Sequence, residues 1–253
     1  MAGAMLDGWL AGGVAPSTFT IFDPARRDYP AGVSALTQMP QNGEFAAILV
    51  GVKPQMLGEV APAIEPLAGP CTTILSILAG VELDILAAKF PRAAGVVRVM
   101  PNLAVALGKS PVGMAEAGLN AGQREELEAF LQPLGSPEWV AESQFDLFTA
   151  LAGSGPAFVY RFIDALAKGA EELGFDREQA VRTATAMVEG ASALASYSPD
   201  NPGTLADKVA SPGGTTRAGL DVLDEGDAIC ALLEKTLRAA RDRSVQMARE
   251  ARN

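Results

Sequence analysis

The densest cluster of groups able to do chemistry is the run Ser211-Pro212-Gly213-Gly214-Thr215-Thr216, which opens a helix-like stretch reaching Asp224. Backbone N–H groups at a helix start have no intrahelical partner, and the helix dipole favours an anion there. Glycines let a ligand reach the backbone closely, and hydroxyls add neutral donors. A small carboxylate fits such a nest. The same residues also spell an ordinary Ser/Thr-capped helix after a Pro-Gly turn, so spacing alone leaves two readings. The chain contains no histidine. That removes Ser-His-Asp and Cys-His catalysis and imidazole-ligated metals. Chemistry here must run on hydroxyls, carboxylates, amines, the backbone or a cofactor.

Further candidates sit where apolar runs end. Gly51-Val52-Lys53-Pro54 follows one such run, and an open α/β sheet binds ligands beyond the carboxyl ends of its strands. Lys53 can reach phosphate or ribose oxygens while Pro54 fixes the exit of the chain; a solvated lysine before an N1 proline is the alternative. Asp23 and Pro24 close an earlier strand, with Arg26 just beyond. An acid at that point suits the ribose 2′-OH of NAD, whereas a nearby arginine suits the 2′-phosphate of NADP, so the two signals conflict. Asn102, in Met100-Pro101-Asn102, either orients a ligand or makes a turn. Gly153-Ser154-Gly155-Pro156 reads as a turn capping a long helix, with proline near N1.

The elements that must position these residues change type along the chain. In the first half, strand-like segments (Thr18–Phe22, Ala46–Val52, Thr72–Leu78, Val96–Met100) alternate with helix-like ones (Pro54–Leu67, Val81–Phe90). That alternation predicts a doubly wound sheet. From about Gln144 the pattern is helical, with long stretches at Ser154–Leu173, Asp176–Ala195 and Asp227–Ala251. Four or five helices rich in small residues suggest a bundle, and their broad apolar faces suggest a subunit interface.

Composition narrows the partners. The chain has 253 residues, 49% of them apolar, and a formal charge of −10. It can bury a core, and its acidity argues against nucleic acid or an anionic membrane as partner. Cys71 and Cys230 lie too far apart for a disulfide framework or zinc spacing, which fits a reduced, cytoplasmic setting and no metal. No apolar run approaches the roughly 20 residues needed to span a bilayer. The N-terminus lacks the basic start and apolar core of a secretory signal.

The run Val209–Asp224, with its S-P-G-G-x-T core and the pair Gly219-Leu220, resembles the C-terminal signature of the pyrroline-5-carboxylate reductases. Gly51–Pro54 and Leu151-Ala152-Gly153-Ser154-Gly155-Pro156-Ala157 resemble further family segments in family order. The resemblance covers nearly the whole chain. It implies an α/β Rossmann-like parallel sheet domain over residues 1–142, binding NAD(P), followed by an all-α dimerisation and substrate-binding domain over residues 143–253. It also implies hydride transfer from NADPH or NADH to the imine carbon of pyrroline-5-carboxylate, giving L-proline, the last step of proline biosynthesis.

The residue roles implied are specific. Ser211, Gly213, Gly214, Thr215 and Thr216 would hold the substrate carboxylate, and the Thr216 hydroxyl would meet the ring nitrogen; Ser211 and Thr216 are the catalytic candidates. Met1, Asp23, Pro24, Arg26, Gly51, Val52, Lys53, Pro54, Ile77, Leu78, Ala79 and Asn102 would line the cofactor, with Ser76–Gly80 beside the nicotinamide. Arg26 tips the choice towards NADPH. The turn at Gly153–Pro156 would lie near the active site of an assembled homodimer or dimer-based oligomer. One departure stands out: Met1–Leu6 already looks like the first Rossmann helix, so the opening strand and the first two glycines of the G-x-G turn are missing. The resemblance implies that these would precede Met1. The alternatives are a related imine reductase, a β-hydroxyacid reductase relying on a catalytic lysine, or a non-catalytic helical dimer unable to hold NAD(P)H.

Overall fold

The computed structural model describes residues 1–24 and 28–252, apart from the side chain of Ala251. Arg26 therefore lies outside the described residues. The chain divides into two compact units, one of residues 1–154 with 239–253 and the other of residues 155–238.

The first unit runs α1 (Ala2–Ala11), β1 (Thr20–Phe22), β2 (Ser34–Leu36), β3 (Ala47–Val50), α2 (Leu57–Ile64), β4 (Thr73–Ser76), α3 (Leu83–Lys89), β5 (Gly95–Met100), β6 (Ser110–Ala117), α4 (Ala121–Leu131), β7 (Gly135–Trp139) and the short α5 (Phe145–Phe148). A π-helical turn, Thr149–Gly153, follows α5. Strands β3 to β5 are parallel, β6 runs antiparallel to β5, and β7 is parallel to β6 at the edge. The core strands are apolar on both faces because helices cover both. On one face Met5 and Trp9 of α1 pack with Val97, Val99, Val105 and Leu131; on the other Ala61 and Ile64 of α2 and Leu86 of α3 pack with Val50, Ile74 and Val96. The Trp9 indole N–H also donates to the Phe130 carbonyl at 2.7 Å. Each fully buried large apolar side chain contributes roughly 1.5–3 kcal/mol, so Met5, Leu6 and Trp9, all nearly inaccessible, hold α1 firmly.

The parallel-dominated sheet differs from the expected doubly wound one in two respects. The described strands form two sheets, with β1 and β2 paired apart from the five-stranded sheet. A doubly wound order places its opening strand between these pieces, and no described strand lies there. Strands β6 and β7 were also hidden in the sequence. Pro111, Gly113 and Pro137 break their strand pattern; the prolines sit near a strand start and on the edge strand, where proline is tolerated, and Gly113 leaves room for the Phe148 ring, which would lie 2.4 Å from a β-carbon there.

The second unit holds α6 (Gly155–Glu172), α7 (Arg177–Tyr197), α8 (Pro202–Val209), α9 (Thr215–Asp224) and the start of α10 (Ala228–Ala251). Asp176 caps α7 by accepting from the Glu178 and Gln179 N–H groups. Ala167, Ala180 and Ala184 make the buried seam between α6 and α7. No closed bundle forms within this unit among the described residues. Tyr160, Phe162, Leu173, Leu194, Val222 and Leu232 remain exposed.

The change to helical periodicity near residue 142 and the division between units do not coincide. The 3-10 turn Glu142–Gln144, α5 and the π-helical turn stay with the first unit. Phe145 is buried, and the Arg98 guanidinium of β5 lies 4.0 Å from its ring centroid.

Candidate active site

In the first unit the candidates gather at the carboxyl ends of the parallel strands. Val50 pairs with Ser76 in the register of β3 and β4, so Gly51 and Ile77 leave the sheet side by side. A Cβ placed on Gly51 would lie 3.1 Å from the Ala2 Cβ and 3.5 Å from Ile77 Cδ1. The start of α1 therefore abuts the ends of β3 and β4. No side chain caps that start, so its first-turn N–H groups remain available as donors.

Met1 and Lys53 are exposed, and Pro54 opens a 3-10 turn after Lys53. Ile77 and Ala79 are half-buried, whereas the Leu78 side chain turns into the core under α2 and α3. Leu78 can thus offer a ligand only its backbone. Asp23 and Pro24 are exposed at the end of β1, on the separate two-stranded sheet. Val52 is half-buried and packs against the α2 side of the core.

Asn102 is 7% exposed, and its polar groups face protein. Its Oδ1 accepts from the Ala104 N–H at 2.8 Å, capping the 3-10 turn Leu103–Leu107. Its Nδ2 donates to the Ala152 carbonyl at 2.9 Å, and its own N–H donates to Ser110 Oγ at 3.0 Å. The turn-forming role is thus fully realised. The segment Gly153-Ser154-Gly155-Pro156 is not the capped turn expected. Thr149–Gly153 is π-helical, the Ser154 N–H donates to the Thr149 carbonyl at 3.0 Å, and Ser154 itself has right-handed helical angles. The chain passes from α5 into α6 without a conventional N-cap.

In the second unit, Ser211-Pro212-Gly213-Gly214 makes a tight turn closed by the Gly214 N–H on the Ser211 carbonyl at 2.9 Å. Pro212 occupies the second position and Gly213 the third, with φ of +69°, a type II arrangement that needs glycine there. The helix cap is Gly214, and no side chain caps α9. The Ser/Thr side-chain cap is thus not formed, and the first-turn N–H groups of α9 have no side-chain partner. Ser211, Thr215 and Thr216 are exposed, and among the described residues their hydroxyls bond to no protein group. A Cβ on Gly214 would lie 2.5 Å from Ser211 Oγ, so that hydroxyl leans over the helix start.

Sequence reasoning missed two charged residues. Arg217, in the first turn of α9, pairs with Asp207 at 2.7 Å. The hydrogen bond to Asp207 holds its guanidinium above the usual arginine range. Its charge adds to the positive end of the helix dipole beside the open donors; its place directly after Thr216 was the available signal. Arg98, 3% exposed, reaches Glu142 at 2.9 Å, and the same Glu142 oxygen accepts the Leu83 N–H at 3.1 Å. That pair ties β5, the start of α3 and the connector to α5. Lys168 on α6 is bound to Asp164 at 2.8 Å, so it serves that ion pair. Among the described residues no group of three acidic, Cys or His side chains is placed to hold a metal ion, and no helix is long and apolar enough to cross a membrane.

Residues 142–247 match the family described as pyrroline-5-carboxylate reductase dimerisation. A pyrroline-5-carboxylate reductase of Pseudomonas aeruginosa is 33% identical over 258 aligned positions, covering 99% of this chain and 94% of that one. The structure of a pyrroline-5-carboxylate reductase from Coxiella burnetii superposes with a TM-score of 0.91 at 26% identity, covering 98% of this chain and 95% of that one. A Plasmodium falciparum pyrroline carboxylate reductase solved with NADP bound shares the fold, with a TM-score of 0.80 at 22% identity, covering 97% and 94%. The uncapped glycine-led nest on α9 and the strand-end cluster thus occur in a chain that belongs to the pyrroline-5-carboxylate reductase family.

Proposed function

We propose that this oxidoreductase converts L-1-pyrroline-5-carboxylate to L-proline, the last step of proline biosynthesis, with the α9 nest holding the substrate carboxylate. The observation that carries this reading is the Gly214 cap, which leaves the first-turn donors of α9 uncommitted. The amides of Thr215 and Thr216 and the Ser211 hydroxyl bind the carboxylate, Gly213 and Gly214 let it approach the backbone closely, and Arg217 adds positive charge behind them. The Thr216 hydroxyl meets the ring nitrogen. A protonated imine is already electrophilic, so the protein must mainly align donor and acceptor carbons about 3–3.5 Å apart. NADPH or NADH, when bound, supplies the hydride to the imine carbon, and the nitrogen keeps its proton as the amine forms.

Gly51, Val52, Lys53 and Pro54 with Ile77, Leu78 and Ala79 line the dinucleotide, the start of α1 at Met1 meets its pyrophosphate, and Asp23 and Pro24 flank the adenosine ribose. The start of α1 next to Gly51 and Ile77 supports this placement. NADPH is the preferred form. The helical region from about residue 143 assembles two copies, supported by the exposed apolar side chains of α6, α7 and α9. Two exposed free cysteines suit a reduced, cytoplasmic setting.

Thr216→Ala tests the assignment. Loss of the hydroxyl oxygen that accepts from the iminium N–H lowers turnover by about 100-fold while NADPH affinity stays close to that of the parent. Unchanged turnover would remove Thr216 from the chemistry.

A further inference from the structure

We infer that Asn102 is a positioning residue that completes the π-helical turn Thr149–Gly153 in place of a backbone donor which Pro156 lacks. In an α-helix the Ala152 carbonyl would be met by the N–H of residue 156. Here that residue is proline, which has none. Ala152 is 8% exposed, and a buried carbonyl left without a donor costs about 1–3 kcal/mol. Asn102, fifty residues earlier in the chain, supplies the missing donor through Nδ2 at 2.9 Å.

The remaining contacts of Asn102 fix where that donor points. Its Oδ1 is held by the Ala104 N–H and its backbone N–H by Ser110 Oγ. Ser110 Oγ in turn donates to the Pro111 carbonyl at 2.8 Å and is fully buried. The side chain therefore has one orientation, set by the end of β5 and the start of β6. It transmits the position of that strand end to a turn that departs from α-helical spacing. Single π-helical turns are rare and occur frequently at functional sites. The segment that directly follows the turn is Ser154-Gly155-Pro156, which the proposed reaction places beside the active site. Asn102 acts on that site through Ala152, without itself touching the dinucleotide.

This deepens the proposed function, and its test separates the two. Asn102→Asp keeps the acceptor for the Ala104 N–H and removes the donor to Ala152. Pro156→Ala restores a backbone N–H four residues beyond Ala152. Both variants and their combination are compared by imine reduction, by NADPH titration and by hydrogen exchange over residues 149–154. The expected result is a fall in kcat/KM of about 10- to 100-fold for N102D. NADPH Kd changes by less than about threefold, exchange in 149–154 quickens, and β5 keeps its protection. In the P156A background both penalties of N102D shrink, because the carbonyl then has its own donor. Equal penalties in the two backgrounds overturn the inference, as does a loss of NADPH affinity matching the loss of kcat/KM. If N102D does not fold, Asn102→Ser, which retains a short capping oxygen but cannot reach Ala152, takes its place. Absence of imine turnover in the parent protein counts against the reductase reading alone, and the exchange comparison still decides the inference.

Discussion

Replacing Gly80 by alanine should unseat the end of α10 from the loop that follows β4. Gly80 has φ of +77°, where a β-carbon costs about 1–2 kcal/mol. That carbon would also meet the Ala248 nitrogen and the Met247 carbonyl carbon, both at 3.0 Å, and the Met247 oxygen at 3.1 Å. These are backbone atoms of a helix, so the contact is relieved only by moving the helix end. Overpacking of this kind costs typically about 1–3 kcal/mol. The helix end is otherwise held by the burial of Ala248, by Ser244 Oγ on Asp146 at 2.7 Å and by Arg252 on Glu82 and Asp84. The burial and the Ser244 bond together contribute roughly 2–3 kcal/mol. The Arg252 pairs are half-exposed, and a pair of that kind contributes at most about 1 kcal/mol.

The two routes have similar costs, so G80A should destabilise the first unit by about 2–4 kcal/mol, through strain plus release of the tail. Urea unfolding measures the loss, and hydrogen exchange over 239–252 reads the release. Arg252→Ala is the control: a loss under about 1 kcal/mol that disappears near 1 M salt. NADPH affinity should fall in G80A because Ile77–Ala79 immediately precede the altered residue. A G80A protein with unchanged stability and a protected tail would show that Gly80 does not seat the end of α10.

Other perturbations reach the second unit. Gly213→Ala forces a β-carbon into the third position of the turn and should raise the imine KM about five- to tenfold, from a penalty of about 1–2 kcal/mol; steady-state kinetics with NADPH saturating checks this. Arg217→Ala removes the positive charge behind the nest and should raise the same KM about three- to tenfold with NADPH Kd unchanged, as an initial-rate series will show. Hydrogen bonds from Lys168 and Arg177 hold the Asp164 carboxyl below its ordinary 3.8. A lowered folded value means stabilisation present above 3.8 and lost as pH falls through that lower value. Asp164→Asn should therefore flatten the acid limb of unfolding seen by circular dichroism below about pH 4.

The sequence revealed some of this architecture and concealed the rest for physical reasons. Strands β3, β4 and β5 were legible because burial on both faces leaves near-continuous apolar runs such as Ile74-Leu75 and Val96-Val97. Helices α6, α7 and α10 were legible from their length and periodicity. Strand β6 was not, because Pro111 and Gly113 interrupt it and its burial comes from neighbours distant in sequence. The glycine-led start of α9 was legible as a set of residue types. Whether Ser211 or Gly214 is the cap depends on a turn geometry that residue spacing does not specify. The π-helical turn was hidden because its stabilising donor comes from Asn102, far upstream. Arg98 was equally hidden: a charge inside an apolar strand makes sense only once Glu142 and Phe145 are brought to it.

The most direct test is reduction of pyrroline-5-carboxylate against 1-pyrroline, the same ring without the carboxylate, using NADPH and then NADH with L-proline assayed as product. The expected result is one L-proline formed per dinucleotide oxidised, and kcat/KM lower by about 100-fold or more for the ring that cannot engage the start of α9. Equal rates for the two rings, or dinucleotide oxidation without L-proline, would contradict it.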